Sequence, residues 1–315
     1  MPKKILISGS LAYDYIMDFP DSFKNHILPE QIHILNVSFV VDALKKELGG
    51  CAGNIGYTVK LLGGDPLIVG ALGKDSSDYI EHLKKYDIST KYIHINKEIF
   101  SSSAHITTDK DDNQICAFHP GAGNEAGSPS IETITEEIAI AIVSPTKKEV
   151  MIKHAKECEE KEIPLVFDPG QQLTALSPQE LMLIIGQAKF LIVNDYELKL
   201  VEEKTGWGKQ EILNHVDVLI TTLGEKGSEI ATSDELININ PCPATSVDDP
   251  TGAGDAYRAG FFTAYLNDND LKTCGQVASV TATYAVENYG TQKHSYSKKE
   301  FAERYKSVYG EEISL

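Results

Sequence analysis

From residue 138 to residue 204 the chain alternates short apolar runs with helix-length ones: 138–143, 147–161, 164–168, 178–188, 190–193 and 197–204. Strand and helix repeated in that order leave few architectures open. Each helix must carry the chain back along the outside of a sheet, so successive strands lie parallel and helices cover both faces. The expected class is therefore α/β with a mostly parallel central sheet. Its strands run into polar residues, Asp168-Pro169-Gly170-Gln171-Gln172 and Asn194-Asp195-Tyr196-Glu197. Open α/β sheets bind ligands at those carboxyl ends. Residues 5–8, stopped by Gly9 and followed by Ser10 and Asp14, read as another buried strand. Residues 218–222 read the same way and run into Thr222-Leu223-Gly224-Glu225-Lys226-Gly227.

Other segments leave this layer. Residues 13–19 and 32–41 have strand character, with Pro20 and Pro29 marking irregular chain between them. Residues 103–108 and 114–118 flank a polar turn and predict a β-hairpin. The segments near 13–20, 32–48 and 98–120 are thus expected to form a small second sheet within a single domain spanning 1–315. Gly49-Gly50-Cys51-Ala52-Gly53-Asn54 opens a helix that Gly63-Gly64 closes. A strand over 67–72, a helix over 77–86, a hairpin over 228–231 and 235–239, and helices over 271–288 and 297–308 complete the reading.

The chemistry is expected in the stretch from Asp248 to Phe262. Pro250 and two glycines precede good helix formers, so a loop tightens between Thr251 and Gly254 and enters a helix near Asp255. Without Cβ atoms at Gly252 and Gly254, an oxyanion can approach amides that the helix dipole makes attractive to negative charge. Asp255 sits in that turn, where a carboxylate can take a hydroxyl proton while an O–P bond forms. An acidic residue in a first helical turn is also favoured by the dipole alone. No G-x-x-x-x-G-K-[ST] occurs, and GAGDAY lacks the third glycine of G-x-G-x-x-G.

A formal net charge of −17 argues against nucleic acid or an anionic membrane as partner. A nucleotide would have to be held locally, by backbone amides, Mg²⁺ and side chains such as Arg258 or Lys226. The five cysteines show no C-x-x-C spacing and are expected to be reduced thiols. The run before residue 5 is too short for a signal-peptide core, and no apolar run approaches transmembrane length, so a cytoplasmic location is expected.

The run DPTGAGDAYRAGF resembles the C-terminal signature of the ribokinase-like (PfkB) family of sugar and nucleoside kinases. That resemblance implies a three-layer fold with a small β-sheet lid, Asp255 as catalytic base, and Gly252, Ala253 and Gly254 as the anion hole. GSLAYD resembles the family's substrate-aspartate segment and GGCAGN its N-terminal motif, which gives hydroxyl binding to Asp14 and Asn54 and close backbone approach to Gly50. Asn194-x-x-Glu197 resembles its metal and phosphate motif, with Glu197 acting on Mg²⁺ through water. ATP is expected against Asn194, Thr222, Gly224, Glu225, Gly227, Gly252, Gly254 and Asn288.

Within the family, LPEQIHILNVSFVVDAL, HPGAG, DPGQQL and NDYELKLVEEKTGW resemble bacterial adenosine kinases. Ser10, Asp14, Ser38, Gly50, Asn54, Phe118, Gln171 and Gln172 would then line a nucleoside pocket. The implied reaction moves the ATP γ-phosphoryl group to the 5′-hydroxyl of adenosine, giving AMP and ADP. A homodimer is compatible with this resemblance. One departure is Ala104, where related enzymes tend to carry an aromatic; base stacking then rests on Phe118. Alternatives are a kinase for a sugar or another nucleoside, and a binding protein without turnover, which intact Asp255 with both glycines argues against.

Overall fold

The protein is described by a computed structural model that covers residues 2–27, 34, 36–111, 113–124 and 129–313. In chain order, β1 (Lys4–Ser8), β2 (Ala12–Asp18), β3 (Ala43–Gly49), α1 (Cys51–Leu61) and β4 (Asp65–Leu72) come first. α2 (Ser77–Lys85), β5 (Ile93–Ile95), β6 (Ser102–Thr108) and β7 (Gln114–His119) follow. The alternating half contains β8 (Ile140–Val143), α3 (Lys148–Glu160), β9 (Leu165–Phe167), α4 (Pro178–Gln187), β10 (Phe190–Asn194), α5 (Asp195–Thr205), α6 (Lys209–Ile212) and β11 (Val218–Thr222). The chain closes with β12 (Ser228–Ala231), β13 (Leu236–Ile239), α7 (Ala253–Leu266), α8 (Leu271–Val286) and α9 (Lys298–Tyr309).

Nine strands form the main sheet in the order β13-β12-β11-β10-β9-β8-β1-β4-β5, parallel except for the terminal hairpin of β12 and β13. Successive strand side chains point to opposite faces, and both faces are covered. Ile5, Ile7, Phe190 and Ile192 pack on one side with Phe261, Phe262 and Val277 of α7 and α8. Leu6, Leu191 and Val193 pack on the other with Met151, Leu181 and Val201 of α3, α4 and α5. Two dry cores flanking one sheet account for the continuous apolar runs in its strands.

β1 lies between β8 and β4, where strand order reverses. Three residues beyond β1 the chain enters a second, four-stranded sheet of order β3-β2-β6-β7. β2 pairs antiparallel with β3 and parallel with β6, and β6 with β7 closes the expected hairpin. The third strand of this sheet is not where the sequence pattern puts it. Residues 32, 33 and 35 lie outside the described residues, and 36–41 run as irregular chain, with Phe39 packed on Phe19 and Phe23. The strand is the charged stretch ALKKELG, whose pattern hides it because it is an edge strand. Edge strands are commonly charged, which blocks pairing with other chains, and here Lys46 bridges to Asp78. Among the described residues no helix is long and apolar enough to cross a membrane.

Candidate active site

A cavity of about 470 Å³ opens where the two sheets meet the carboxyl end of β1. Gly50 makes the junction possible. Its φ is 90°, and a Cβ there would stand 2.6 Å from the Ser10 carbonyl oxygen, so the start of α1 lies flat against the β1–β2 connection. Ser10 in turn serves α1 as its cap: its Oγ accepts from the Cys51 N–H at 3.1 Å, and its carbonyl accepts from the Ala52 N–H at 3.0 Å. Ser10, Asp14, Gly50, Asn54, Phe118, Gln171, Gln172 and Asp255 all line the cavity. Ser38 does not; it is exposed in the irregular stretch beside Phe39.

The lid strands set these side chains in register. Asp14 on β2 pairs with Ala104 on β6, and Ala104 pairs with Phe118 on β7. Directly opposed residues share a face of the sheet, so a carboxylate, a methyl and a phenyl form one row across three strands. With neighbouring strands about 4.8 Å apart, the carboxylate and the ring are about 10 Å from each other. Ala104 is the low point between them. Phe118 is 60% exposed, an unusual state for a phenylalanine at a cavity wall.

Across the cavity, α7 starts after Gly252, whose φ of 80° is left-handed and whose Cβ would lie 2.9 Å from Thr291 Cγ2. Gly252 itself brings no side chain to cap this terminus. The Ala253 N–H reaches the Pro250 carbonyl at 3.3 Å, which leaves those of Gly254 and Asp255 directed out of the helix end. Gly254 is exposed there, so an anion can reach both amides. The Asp255 carboxylate accepts from Asn54 Nδ2 at 2.8 Å. Burial pushes its pKa up to about 6, against the Asn54 hydrogen bond and the Arg258 charge, which favour the ionised form. It is therefore ionised at neutral pH and basic enough to accept a proton. Asp14 is also raised to about 6, by burial and then by repulsion from Asp249 and Glu47.

Arg258 does not serve as a nucleotide holder. It is 7% exposed; one nitrogen, Nη2, donates to Asp168 Oδ1 at 2.6 Å, and Nη1 donates to the Gly254 carbonyl at 2.9 Å. Asp168, at the end of β9, also accepts from Ser144 Oγ at 2.9 Å. Lys226 is exposed in the turn that follows β11.

Asn194 and Glu197 form a capping box at the head of α5: Asn194 Oδ1 accepts from the Glu197 N–H, and Glu197 Oε2 accepts from the Asn194 N–H. The N-x-x-E spacing thus has a helix-capping role that motif resemblance alone does not reveal. Glu197 Oε1 has no hydrogen bond among the described residues. Burial raises the Glu197 pKa, partly offset by the Asn194 N–H and Arg258. No group of three His, Cys, Asp or Glu gathers at metal-binding distance among the described residues. A single available carboxylate oxygen suits Mg²⁺, which usually keeps several waters and takes phosphate oxygens for the rest. Thr222 stands beside Asn194 in register, and Gly224, Glu225 and Gly227 shape the next turn. Asn288 falls just past α8, which ends at Val286, and its amide donates to the Tyr284 carbonyl.

Three residues that sequence reasoning passed over stand behind Asn54: Thr291 and Gln292 in contact with its amide oxygen, and Tyr79 behind Gln292. No motif marks them. Thr291 and Gln292 meet Asn54 across more than two hundred residues of chain, so local spacing carries no sign of the contact.

A family model described as pfkB family carbohydrate kinase matches residues 20–299. The nucleoside kinase of Methanocaldococcus jannaschii is 36% identical over 295 residues, 92% of each chain. The ribokinase of Bacillus subtilis is 24% identical over 262 residues, covering 81% of this chain and 86% of that one. The structure of Burkholderia thailandensis nucleoside kinase in complex with inosine has a TM-score of 0.89 to this chain at 38% identity, covering 98% of this chain and 99% of the other. Site chemistry, topology and sequence therefore agree, and the chain belongs to the pfkB family of carbohydrate kinases.

Proposed function

We propose that this chain is an ATP-dependent nucleoside kinase that phosphorylates the 5′-hydroxyl of purine ribonucleosides, converting adenosine and ATP to AMP and ADP. The observation that carries the reading is that Asp14 and Phe118, joined in register through Ala104, line one cavity together with Asp255. An exposed ring about two strand spacings from a carboxylate suits a flat base at one end and sugar hydroxyls at the other, with Ala104 leaving room between them. The similarity to a nucleoside kinase bound to inosine supports the same assignment.

In this reading the 5′-hydroxyl sits beside Asp255, which takes its proton as the new O–P bond forms and the bond to ADP breaks. Charge spreads over the transferred phosphoryl oxygens, and the outward N–H groups of Gly254 and Asp255 meet it. Bound Mg²⁺ would neutralise the donor phosphates, with Glu197 orienting its water through the oxygen not used in the helix cap. Glu197→Gln is accordingly expected to weaken the response to Mg²⁺ while leaving nucleoside affinity nearly unchanged. An unaltered Mg²⁺ titration would remove Glu197 from the metal site.

A coupled ADP-release assay over adenosine, inosine, guanosine, cytidine, ribose and fructose 6-phosphate tests the substrate class. Phe118→Ala is expected to raise KM for adenosine roughly tenfold, a change of about 1.4 kcal/mol, since it removes a stacking surface. Any weak ribose activity should barely change. Asp14→Ala should damage both, because ribose and adenosine share the hydroxyls. If ribose is turned over better than adenosine, or if Phe118→Ala harms both equally, the nucleoside reading gives way to that of a sugar kinase.

A further inference from the structure

We propose that Tyr79 and Gln292 are positioning residues for Asp255: with the Gly49 carbonyl they fix which end of the Asn54 amide faces the base. This rests on the reading of Asp255 as the base. An amide side chain has a donor end and an acceptor end of nearly the same shape. If the Asn54 oxygen turned toward Asp255, it would repel the carboxylate it now serves.

The polarity of the chain of contacts decides the matter. The Gly49 carbonyl can only accept, and the Tyr79 hydroxyl spends its one proton on it at 2.8 Å. Tyr79 Oη must then accept from Gln292, whose Nε2 lies 2.9 Å away. That places the Gln292 amino group 3.0 Å from Asn54, which must answer with its oxygen. Asn54 Nδ2 is left for Asp255. Thr291 Oγ1 also stands 2.8 Å from Asn54 Oδ1, but its single proton is shared with the Leu48 carbonyl at the same distance, so Gln292 is the undivided donor. The relay is dry: Tyr79 is fully buried, and Asn54 and Gln292 are 5% and 4% exposed. Gly53 makes room for it, since a Cβ there would lie 1.8 Å from Tyr79 Oη and 2.9 Å from Gln292 Nε2. On the far side, Gln292 Oε1 is buried without a hydrogen-bond partner among the described residues.

The charged and titratable groups around Asp255 are Arg258 on its own helix, Asp168 at the end of β9 and Cys51 on α1. Neutral substitutions in the relay leave all three in place. The test follows the Asp255 carboxyl by ¹³C NMR titration of the substrate-free protein, its resonance assigned by its absence in Asp255→Asn, together with the pH profile of kcat. Tyr79→Phe and Gln292→Met are both expected to raise the Asp255 midpoint, Gln292→Met by about one pH unit, because a donated hydrogen bond favours the charged form. The acid limb of kcat should move up with it while KM for adenosine stays within roughly twofold, a small change on the affinity scale. Two substitutions at different links guard against one failing to fold. If neither midpoint moves in folded protein, the relay is overturned while the base assignment stands. If Asp255→Asn keeps its activity, the kinase mechanism fails, and the titration still reports on the relay.

Discussion

Asp255→Asn is expected to lower kcat by about 10²- to 10⁴-fold, the usual contribution of a positioned general base, while making the protein more stable at neutral pH. The amide keeps the shape of the carboxylate but cannot take the 5′-hydroxyl proton, so the loss falls on the chemical step and not on nucleoside affinity. The gain in stability follows from the same burial that prepares the base. In the folded chain the carboxyl ionises near 6, against an ordinary value of 3.8, so the native state holds the proton more tightly than the unfolded one. Well below pH 4, at about pH 3 and under, the group is protonated in both states and costs nothing. The penalty grows as pH rises through the interval and is complete above about 6, where it amounts to roughly 3 kcal/mol at most. The substituted side chain carries no charge to desolvate. Calorimetry at pH 8 should show its Tm raised by a few degrees, with the difference shrinking through pH 4 and vanishing near about pH 3. Activity above a tenth of wild type, or a Tm that falls at pH 8, would mean that Asp255 is not a desolvated base.

The acid limb of the wild-type profile should lie near pH 6 for the same reason. Asp14 is raised to a similar value, so kcat/KM, which reports on the free enzyme, can fall more steeply than one ionisation allows. Asp14→Asn should restore a single-ionisation slope, whatever it does to affinity.

The parts of the fold that sequence reveals are those built from period and punctuation. The main sheet from β8 to β11 follows the alternation of apolar runs, because strands buried on both faces leave little choice of residue. The start of α7 was legible because Gly252 has to adopt a left-handed backbone under Thr291. β3 was misplaced because an edge strand needs no apolar face, so its lysines look like loop. The contacts of Asn54 were hidden for another reason. Its partners Thr291 and Gln292 come from the segment after α8, and Tyr79 of α2 holds Gln292 in turn; only the folded chain brings a glycine-made gap, a phenol and two polar side chains together. Arg258 misleads in the opposite direction: an arginine near an anion hole suggests a phosphate ligand, whereas its charge is spent on a carboxylate within the protein.

Arg258→Met should cost about 3–5 kcal/mol of stability, as expected when one partner of a buried ion pair is removed and the other is left uncompensated. Asp168 is 2% exposed, and without Arg258 its charge keeps, among the described residues, only the Ser144 hydroxyl as a partner. The pair itself is not the source of the stability. Burial lowers the proton affinity of Arg258, and Asp168, with Asp255 and Glu197 behind it, more than restores it, so the desolvation of two charges is set against their attraction. Arg258→Met combined with Asp168→Asn should therefore recover most of the loss, since no unpaired charge remains. Function should not fully recover with it. Arg258 favours the ionised forms of both Asp255 and Glu197, whereas Asp168 disfavours them by a smaller amount, so Arg258→Met alone raises the pKa of each and the added Asp168→Asn takes back part of that rise. The double variant is thus expected to melt close to wild type, with its acid limb shifted to higher pH by less than in Arg258→Met alone. If the double variant is no more stable than Arg258→Met alone, the cost lies in lost packing around the guanidinium and not in the stranded carboxylate. An acid limb that stays in place in Arg258→Met alone would mean that Arg258 holds the fold without tuning the base.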